Sequence, residues 1–472
     1  MAIIPLDGLS DWDSGCLPPF QLPCSGLDNR TRRGPFLKLL QHARIPVYRI
    51  EKVFCYLAFV TGFFGTVIFP IDLGLFTLFP YRIFLVLLWG LFGARALVQG
   101  KVTLPLGQVK PYMVFFSTWV FYGTLSLAWA TSKGDAVRHL IFLFMGVSLI
   151  FFAVYYFSTL CDLENLCRVW LGVFCVLIVL GLWEHLTGNH LPVSGFYGET
   201  RTRFMYRPTG VFRNPNDYAT FLALSIPFVL SFVRYTKAWL IRIVGVLVVG
   251  IAFYLITVTG SRANILAVLL VMAFLFLFLT DWKQKAKIVL IGTIFSVIVV
   301  FGWLGPVREV FLRVFAELSS LIVQEELGYG SVLVRTNLVR NGLEFLCSTI
   351  GLGVGAGNAE YWMANFARYD TQGILNLHNW WLEVLVNYGV FIFVGYVITY
   401  LGLIRSLWCR WRRTKDYKER MVCEALLVAL IGFSVASTSS SSIMAFAPQW
   451  MLFALALASL NYRRRDRKVA VV

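Results

Sequence analysis

The chain has 472 residues, of which 58% are hydrophobic and only 14% charged. A soluble domain usually carries about 25% charge, so this balance excludes an ordinary soluble enzyme. The net charge of +17 lies mostly in short segments between apolar runs, where it orients helices; no nucleic-acid partner is expected. Five histidines and cysteines without a metal-site framework argue against a metal centre, and no cofactor is expected.

Residues 1–52 lack the basic start and immediate apolar core of a signal peptide. They read as a cytoplasmic extension, partly disordered, whose basic end at Arg30, Arg32, Arg33, Lys38, Arg44 and Arg49 suits anionic lipid. Apolar runs then predict about twelve transmembrane helices over 53–70, 73–96, 112–130, 138–158, 167–183, 217–235, 238–259, 262–280, 286–304, 380–404, 422–438 and 444–461. The fold class expected is an all-α polytopic membrane protein, with a transmembrane domain over 53–461 and a basic tail over 462–472.

The positive-inside rule gives this set a single register. Connections carrying Arg95, Lys101 and Lys110, then Arg168, then Arg234, Lys237 and Arg242, then Lys283, Lys285 and Lys287 fall on one side. The segment RSLWCRWRRTKDYKER adds seven basic residues to that side. The expected location is the cytoplasmic (inner) membrane of a cell, with both termini cytoplasmic. No internal repeat supports an inverted-repeat transporter. Two long loops, 184–216 and 305–378, face outward, the second between helices nine and ten.

The outward segments hold most of the outward polar chemistry. RPTGVFRNPNDY, residues 207–218, presents Arg207 and Arg213, whose planar forks suit phosphate oxygens. Asn216 or Asp217 is expected to cap the following helix. TGSRAN, residues 259–264, makes a sharp turn and sets Arg262 at a helix N-terminus, where a cation opposes the dipole and calls for an anion. SVLVRTNLVRNGLEFL reads as an amphipathic helix with Val334, Leu338 and Phe345 on one face and Arg335 elsewhere. GLGVGAGN, residues 351–358, lacks the GK[ST] ending of a nucleotide loop and reads as a close-packed turn. His378 is the one histidine of the second loop and can exchange a proton near neutral pH. Trp380 and Trp381 beside it mark an interfacial level.

In order along the chain, RPTGVFRNPN, TGSRAN, the SVLVRTNLVRNGLEFLCSTIGLGVGAGN stretch and HNWWLEVLVNYG resemble the O-antigen ligase and Wzy-type polysaccharide polymerase family over roughly residues 110–460. One departure is Ile392, three residues after Gly389, where the family often has a small or aromatic residue; it points away from the lipopolysaccharide ligase itself. The resemblance implies a membrane glycosyltransferase of the C type, B branch. It also implies transfer from a polyprenyl-diphosphate-linked glycan donor to a glycan or lipid-linked acceptor on the external face. Membrane lipids, a flippase and a chain-length regulator are the further partners it implies. By motif match, Arg262 and His378 are the expected catalytic pair. Arg207, Arg213, Asn216, Arg335, Arg340 and Asn379 are the expected substrate-binding residues. Polymerisation of lipid-linked repeat units for a capsule, exopolysaccharide or teichuronic-acid-like polymer is the leading expectation. A ligase placing a finished glycan on an acceptor is the alternative, and a small-anion transporter is the reading from another class.

Overall fold

The computed structural model describes residues 35–72, 77–100, 103–300, 331–441 and 443–462, with isolated positions between 305 and 319. Most of the expected N-terminal extension, nearly all of the basic tail and much of the loop between 305 and 330 lie outside the described residues. The chain divides into two units, Met1–Ile50 and Glu51–Val472, and the candidate functional residues all belong to the second.

Apart from a two-residue antiparallel pairing of Ile71–Asp72 with Thr77–Leu78, the described regular structure is helical. In chain order come α1 (Pro35–Phe64), α2 (Pro80–Gln99), α3 (Lys110–Leu125), α4 (Lys133–Tyr156), α5 (Leu160–Thr187), the short α6 (Thr202–Met205), α7 (Pro215–Tyr235) and α8 (Trp239–Thr259). They are followed by α9 (Arg262–Phe274), α10 (Trp282–Val300), α11 (Ser331–Ser348), α12 (Ala359–Phe366), α13 (Trp380–Arg413), α14 (Tyr417–Ala436) and α15 (Ala447–Asn461).

Among the described residues, eight helices are long and apolar enough to cross a membrane, which corrects the expected count of twelve. The other four predicted spans are helices with physical reasons to fall short. At 1.5 Å per residue α3 and α15 reach about 24 and 22 Å, less than the ~30 Å of hydrocarbon. Lys418, Glu419, Arg420 and Glu424 interrupt the apolar run of α14. Three lysines occupy the first turns of α10, and its side chains from residue 294 onward lie outside the described set.

The short or charged helices are not peripheral. α14 packs most extensively against α7, and α15 against α4. The apolar stretch of α7 is 72% buried within the protein, against 17% for α2. Hydropathy alone therefore does not separate outer from inner helices: α7, itself apolar enough to span, forms the centre with α14 and α15. Two arginines counted as orienting charges serve that interior instead. Arg95 lies inside α2 and pairs with the buried Glu51 at 2.9 Å; Arg234 pairs with the buried Glu424 at 3.3 Å.

One break in α13 governs the site. Gly389 has φ 77° and ψ 179°, a left-handed conformation that favours glycine. A side chain there would run into the Gly351 and Leu352 backbone at 2.4–2.5 Å. The glycine-rich segment fills this notch: Val354 N donates to Val386 O at 2.9 Å, Gly355 N to Asn387 O at 3.1 Å and Val390 N to Gly351 O at 2.9 Å. Val334, Leu338 and Phe345 of α11 are buried in the same cluster as Leu382 and Val386, as their spacing predicts.

Candidate active site

At one end of the bundle four segments distant in sequence are tied together by polar side chains. Gly260 (φ 72°) turns the chain between α8 and α9. The fully buried Asn264, one turn into α9, donates its amide to Ser261 Oγ at 2.9 Å, Ser439 Oγ at 3.0 Å and Thr220 Oγ1 at 3.2 Å. Thr220 on α7 also lies 3.1 Å from Ser440 Oγ. Trp380 N donates to Ser437 O at 3.0 Å and brings the start of α13 to the same serine-rich turn.

The helix after the arginine-rich loop starts three residues earlier than the cap assignment required. Asn214, not Asn216 or Asp217, caps α7, with Oδ1 accepting from Asp217 N at 2.9 Å. Pro215 occupies the first helical position, where its missing N–H costs nothing. Asp217 is held by Asn214 Nδ2 at 2.6 Å and by Ser441 N at 3.3 Å. Asn216 meets the cluster through its backbone carbonyl, 3.4 Å from Asn264 Nδ2.

Three of the expected arginines draw together here. The Arg207 guanidinium lies against the Gly260 turn, 3.6 Å from where a Cβ at that position would stand. It also lies over the Phe204 ring at 5.6 Å. Arg262 is half-buried at the start of α9. Arg335 on α11 is exposed yet partly desolvated by the protein around it. That desolvation, and then the charge of Arg262, lower its pKa.

Arg213 and Arg340 are placed differently. Arg213 is exposed and lines an aromatic-walled cavity of about 280 Å³ with Phe79, Phe142, Phe212 and Phe446. Arg340 is exposed with its guanidinium 5.6 Å from the Tyr369 ring. It is five residues from Arg335, roughly 140° around the helix.

His378 is a non-glycine residue at φ 47°, a strained conformation that persists where surrounding contacts fix it. Its backbone N–H donates to Asn376 Oδ1 at 2.8 Å. The next residue, Asn379, caps α13 by accepting from Trp381 N at 3.1 Å and Leu382 N at 3.4 Å. Trp380 is fully buried within the protein and donates from Nε1 to Tyr396 Oη at 2.8 Å. Trp381 Nε1 donates to Ser434 O at 3.0 Å. These bonds fix the start of α13, directly after the histidine, to its neighbours. His378 Nδ1 is buried and has no hydrogen-bond partner among the described residues. Burial, and then the nearby Arg335 charge, lower the His378 pKa, while a hydrogen bond to the Ser440 backbone opposes them. The neutral ring, which can accept a proton, is therefore favoured.

Residues outside the motifs hold the first loop. Glu184, wholly buried near the end of α5, accepts from Thr209 N at 2.7 Å and Gly210 N at 2.6 Å through Oε2. Its Oε1 faces Thr209 Oγ1 at 3.2 Å and His190 Nδ1 at 3.3 Å. His190 Nε2 lies 2.8 Å from Met205 O. This network fixes the Pro-Thr-Gly segment directly after Arg207. The signal in the sequence is a lone carboxylate closing an apolar run, six residues before a histidine. The serine-rich turn at 437–441 carries no such signal.

Residues 247–397 match the family model described as Wzy_C, O-Antigen ligase. The matched stretch contains Arg262, Arg335 and His378. The teichuronic acid biosynthesis protein TuaE of Bacillus subtilis (strain 168) is 31% identical over 449 residues, spanning 92% of this chain and 89% of that protein.

Proposed function

The chain belongs to the O-antigen ligase family of polysaccharide-biosynthesis membrane proteins, and from that premise we propose that it transfers a glycan from a polyprenyl-diphosphate carrier to an acceptor hydroxyl at the external face of the cytoplasmic membrane. The observation that carries this reading is the grouping of Arg207, Arg262 and Arg335 with His378 at one end of a helix bundle. Arg262 and Arg335 repel each other, and an anion between them relieves that repulsion. A diphosphate is such an anion, and its carrier chain reaches the cleft from the surrounding lipid.

In this mechanism neutral His378 takes the proton of the acceptor hydroxyl. The hydroxyl oxygen forms a bond to the anomeric carbon as the bond from that carbon to the diphosphate oxygen breaks. The electron pair leaves with the carrier diphosphate, and attack opposite the leaving group inverts the anomeric centre. The arginines act most on the charge that develops during bond breaking, so their interaction strengthens toward the transition state.

The matched family description favours the ligase form, in which a finished glycan passes to a separate acceptor, over the polymerisation expected from the sequence. The departure at Ile392 points away from the lipopolysaccharide ligase itself, not from transfer to another acceptor. Repeat-unit polymerisation is the second reading, favoured by the relative whose name places it in teichuronic acid biosynthesis. Purified protein in liposomes with a polyprenyl-diphosphate-linked glycan tests both. Glycan appearing on a carrier-free acceptor supports the ligase, and a ladder of carrier-linked products supports the polymerase. Neither product, with donor and acceptor present and the protein folded, refutes the transferase reading.

A further inference from the structure

The candidate active site lies at the start of α13. Beyond the break at Gly389, α13 continues for 24 residues to Arg413, roughly 36 Å at 1.5 Å per residue. At its far end is a second polar chamber that the transfer chemistry does not use. It encloses about 810 Å³ between the ends of α3, α13 and α15, and its walls include Arg405, Arg410, Arg413, Tyr112, Ser406 and Asn461.

The three arginines are not equivalent. Arg410 is committed: its Nε donates to Glu419 at 2.8 Å, its Nη1 to Leu460 O at 2.9 Å, and its guanidinium stacks 4.4 Å from the Tyr462 ring. It forms a fixed wall. Arg405 and Arg413 are exposed, and neither has an ion-pair or hydrogen-bond partner among the described residues. They are eight residues apart on one helix, about 12 Å along its axis. With Glu419 as the one carboxylate of the lining, the chamber holds an excess of two positive charges. Tyr112 and Ser406, hydrogen-bonded to each other at 2.9 Å, add hydroxyls between α3 and α13. Directly along α13 from Arg405, Leu401 and Ile398 are 58% and 66% exposed and present apolar surface beside the chamber.

We propose that this chamber is a binding site for a phosphate-bearing headgroup, with the arginines on the phosphate and the exposed Leu401–Ile398 stripe against acyl chain. Basic pockets between membrane helices are suited to anionic headgroups, and guanidinium pairs with phosphate in a forked geometry. A lipid is favoured over a free phosphate by the apolar stripe that adjoins the charges. The inference is independent of the transferase reading, since lipid retention is measured without any glycan.

The test is native mass spectrometry of the full chain released from vesicles of phosphatidylglycerol, cardiolipin or phosphatidylcholine. The wild-type protein is expected to retain an anionic lipid on the order of 10-fold more than phosphatidylcholine, and Arg405→Gln/Arg413→Gln to lose that preference. Arg412→Gln removes an equal exposed charge from the same helix end outside the chamber lining, and is expected to keep it. The Arg405→Lys/Arg413→Lys variant preserves charge and is expected to restore part of the retention. A further arm adds inorganic pyrophosphate. Competition without any lipid preference keeps the phosphate site and assigns it to a soluble ligand. Equal retention by wild type and the double glutamine variant, or the same loss in Arg412→Gln, overturns the proposal.

Discussion

Replacing Glu184 by glutamine removes the support of the Arg207 loop while keeping side-chain shape. The carboxylate uses both oxygens: Oε2 takes two backbone N–H groups of Thr209 and Gly210, and Oε1 faces Thr209 Oγ1 and His190 Nδ1. A glutamine amide removes the negative charge that strengthens the two backbone N–H bonds in either orientation, and with its NH₂ toward Thr209 and Gly210 both of those donors also lose their acceptor. A hydrogen bond to a charged group contributes about 1.5–3 kcal/mol, and an unsatisfied buried donor costs a similar amount. The loop therefore loses roughly 2–4 kcal/mol of ordering. If about 2 kcal/mol of that falls on Arg207 in the transition state, transfer slows on the order of 30-fold. The assay is a double-mutant cycle of Glu184→Gln with Arg207→Ala in reconstituted liposomes, read as transfer rate at saturating and limiting donor. Glu184 acting through Arg207 predicts that Glu184→Gln adds less than about 3-fold in the Arg207→Ala background. Fully multiplicative effects, or wild-type transfer by Glu184→Gln alone, refute the reasoning.

Arg262→Ala and His378→Ala are each expected to reduce transfer to near background while membrane insertion is unchanged; full activity in folded His378→Ala protein removes the proposed base. The pH profile carries a signed expectation. A base works in its neutral form, so activity falls as pH drops through the His378 pKa, which lies below the ordinary value of about 6.5. Arg335→Gln removes a neighbouring positive charge, so the acid limb moves to higher pH; a limb that stays put or moves down contradicts the electrostatic link. Gly389→Ala combines a left-handed backbone with overlap against Gly351 and Leu352 and is expected to cost roughly 2–5 kcal/mol. It is read as a lower thermal midpoint in detergent, and an unchanged midpoint refutes the clasp. A single cysteine at position 378 is expected to react with an impermeant reagent from outside the cell; labelling from the cytoplasmic side alone sinks the external-site reading.

The legible part of the site is the part whose local chemistry conflicts with its surroundings. Arg262 stands out because a cation at a helix N-terminus opposes the dipole, and the structure sets it there at the first position of α9. Arg207 stands out as an arginine in a loop stiffened by proline, and it does reach the Gly260 turn. Arg213 and Arg340 satisfy the same local criteria, yet one lines an aromatic-walled cavity and the other lies against Tyr369, because residue type does not encode direction. The serine turn is opaque for the converse reason, and Glu184, conspicuous as a lone carboxylate, does not disclose its backbone partners. Their hydrogen bonds reach 25 residues or more along the chain, as between Glu184 and Thr209 or Asn264 and Ser439.

The miscounted helices follow from a related limit. Hydropathy rewards burial in lipid, yet a helix buried in protein meets different rules: it can carry Glu424 when Arg234, Tyr235 and Trp411 reach it, and it can be shorter than the bilayer. α14 and α15 use that freedom. They form the centre of the bundle, and the serine-rich turn between them is what Asn264, Thr220 and Trp380 all grip. The segments least like ordinary spans are thus the ones that bring Arg262 and His378 to the same end of the molecule. A chain with two long, fully lipid-exposed helices in their place would satisfy a hydropathy count better and would have nothing to hold its site together.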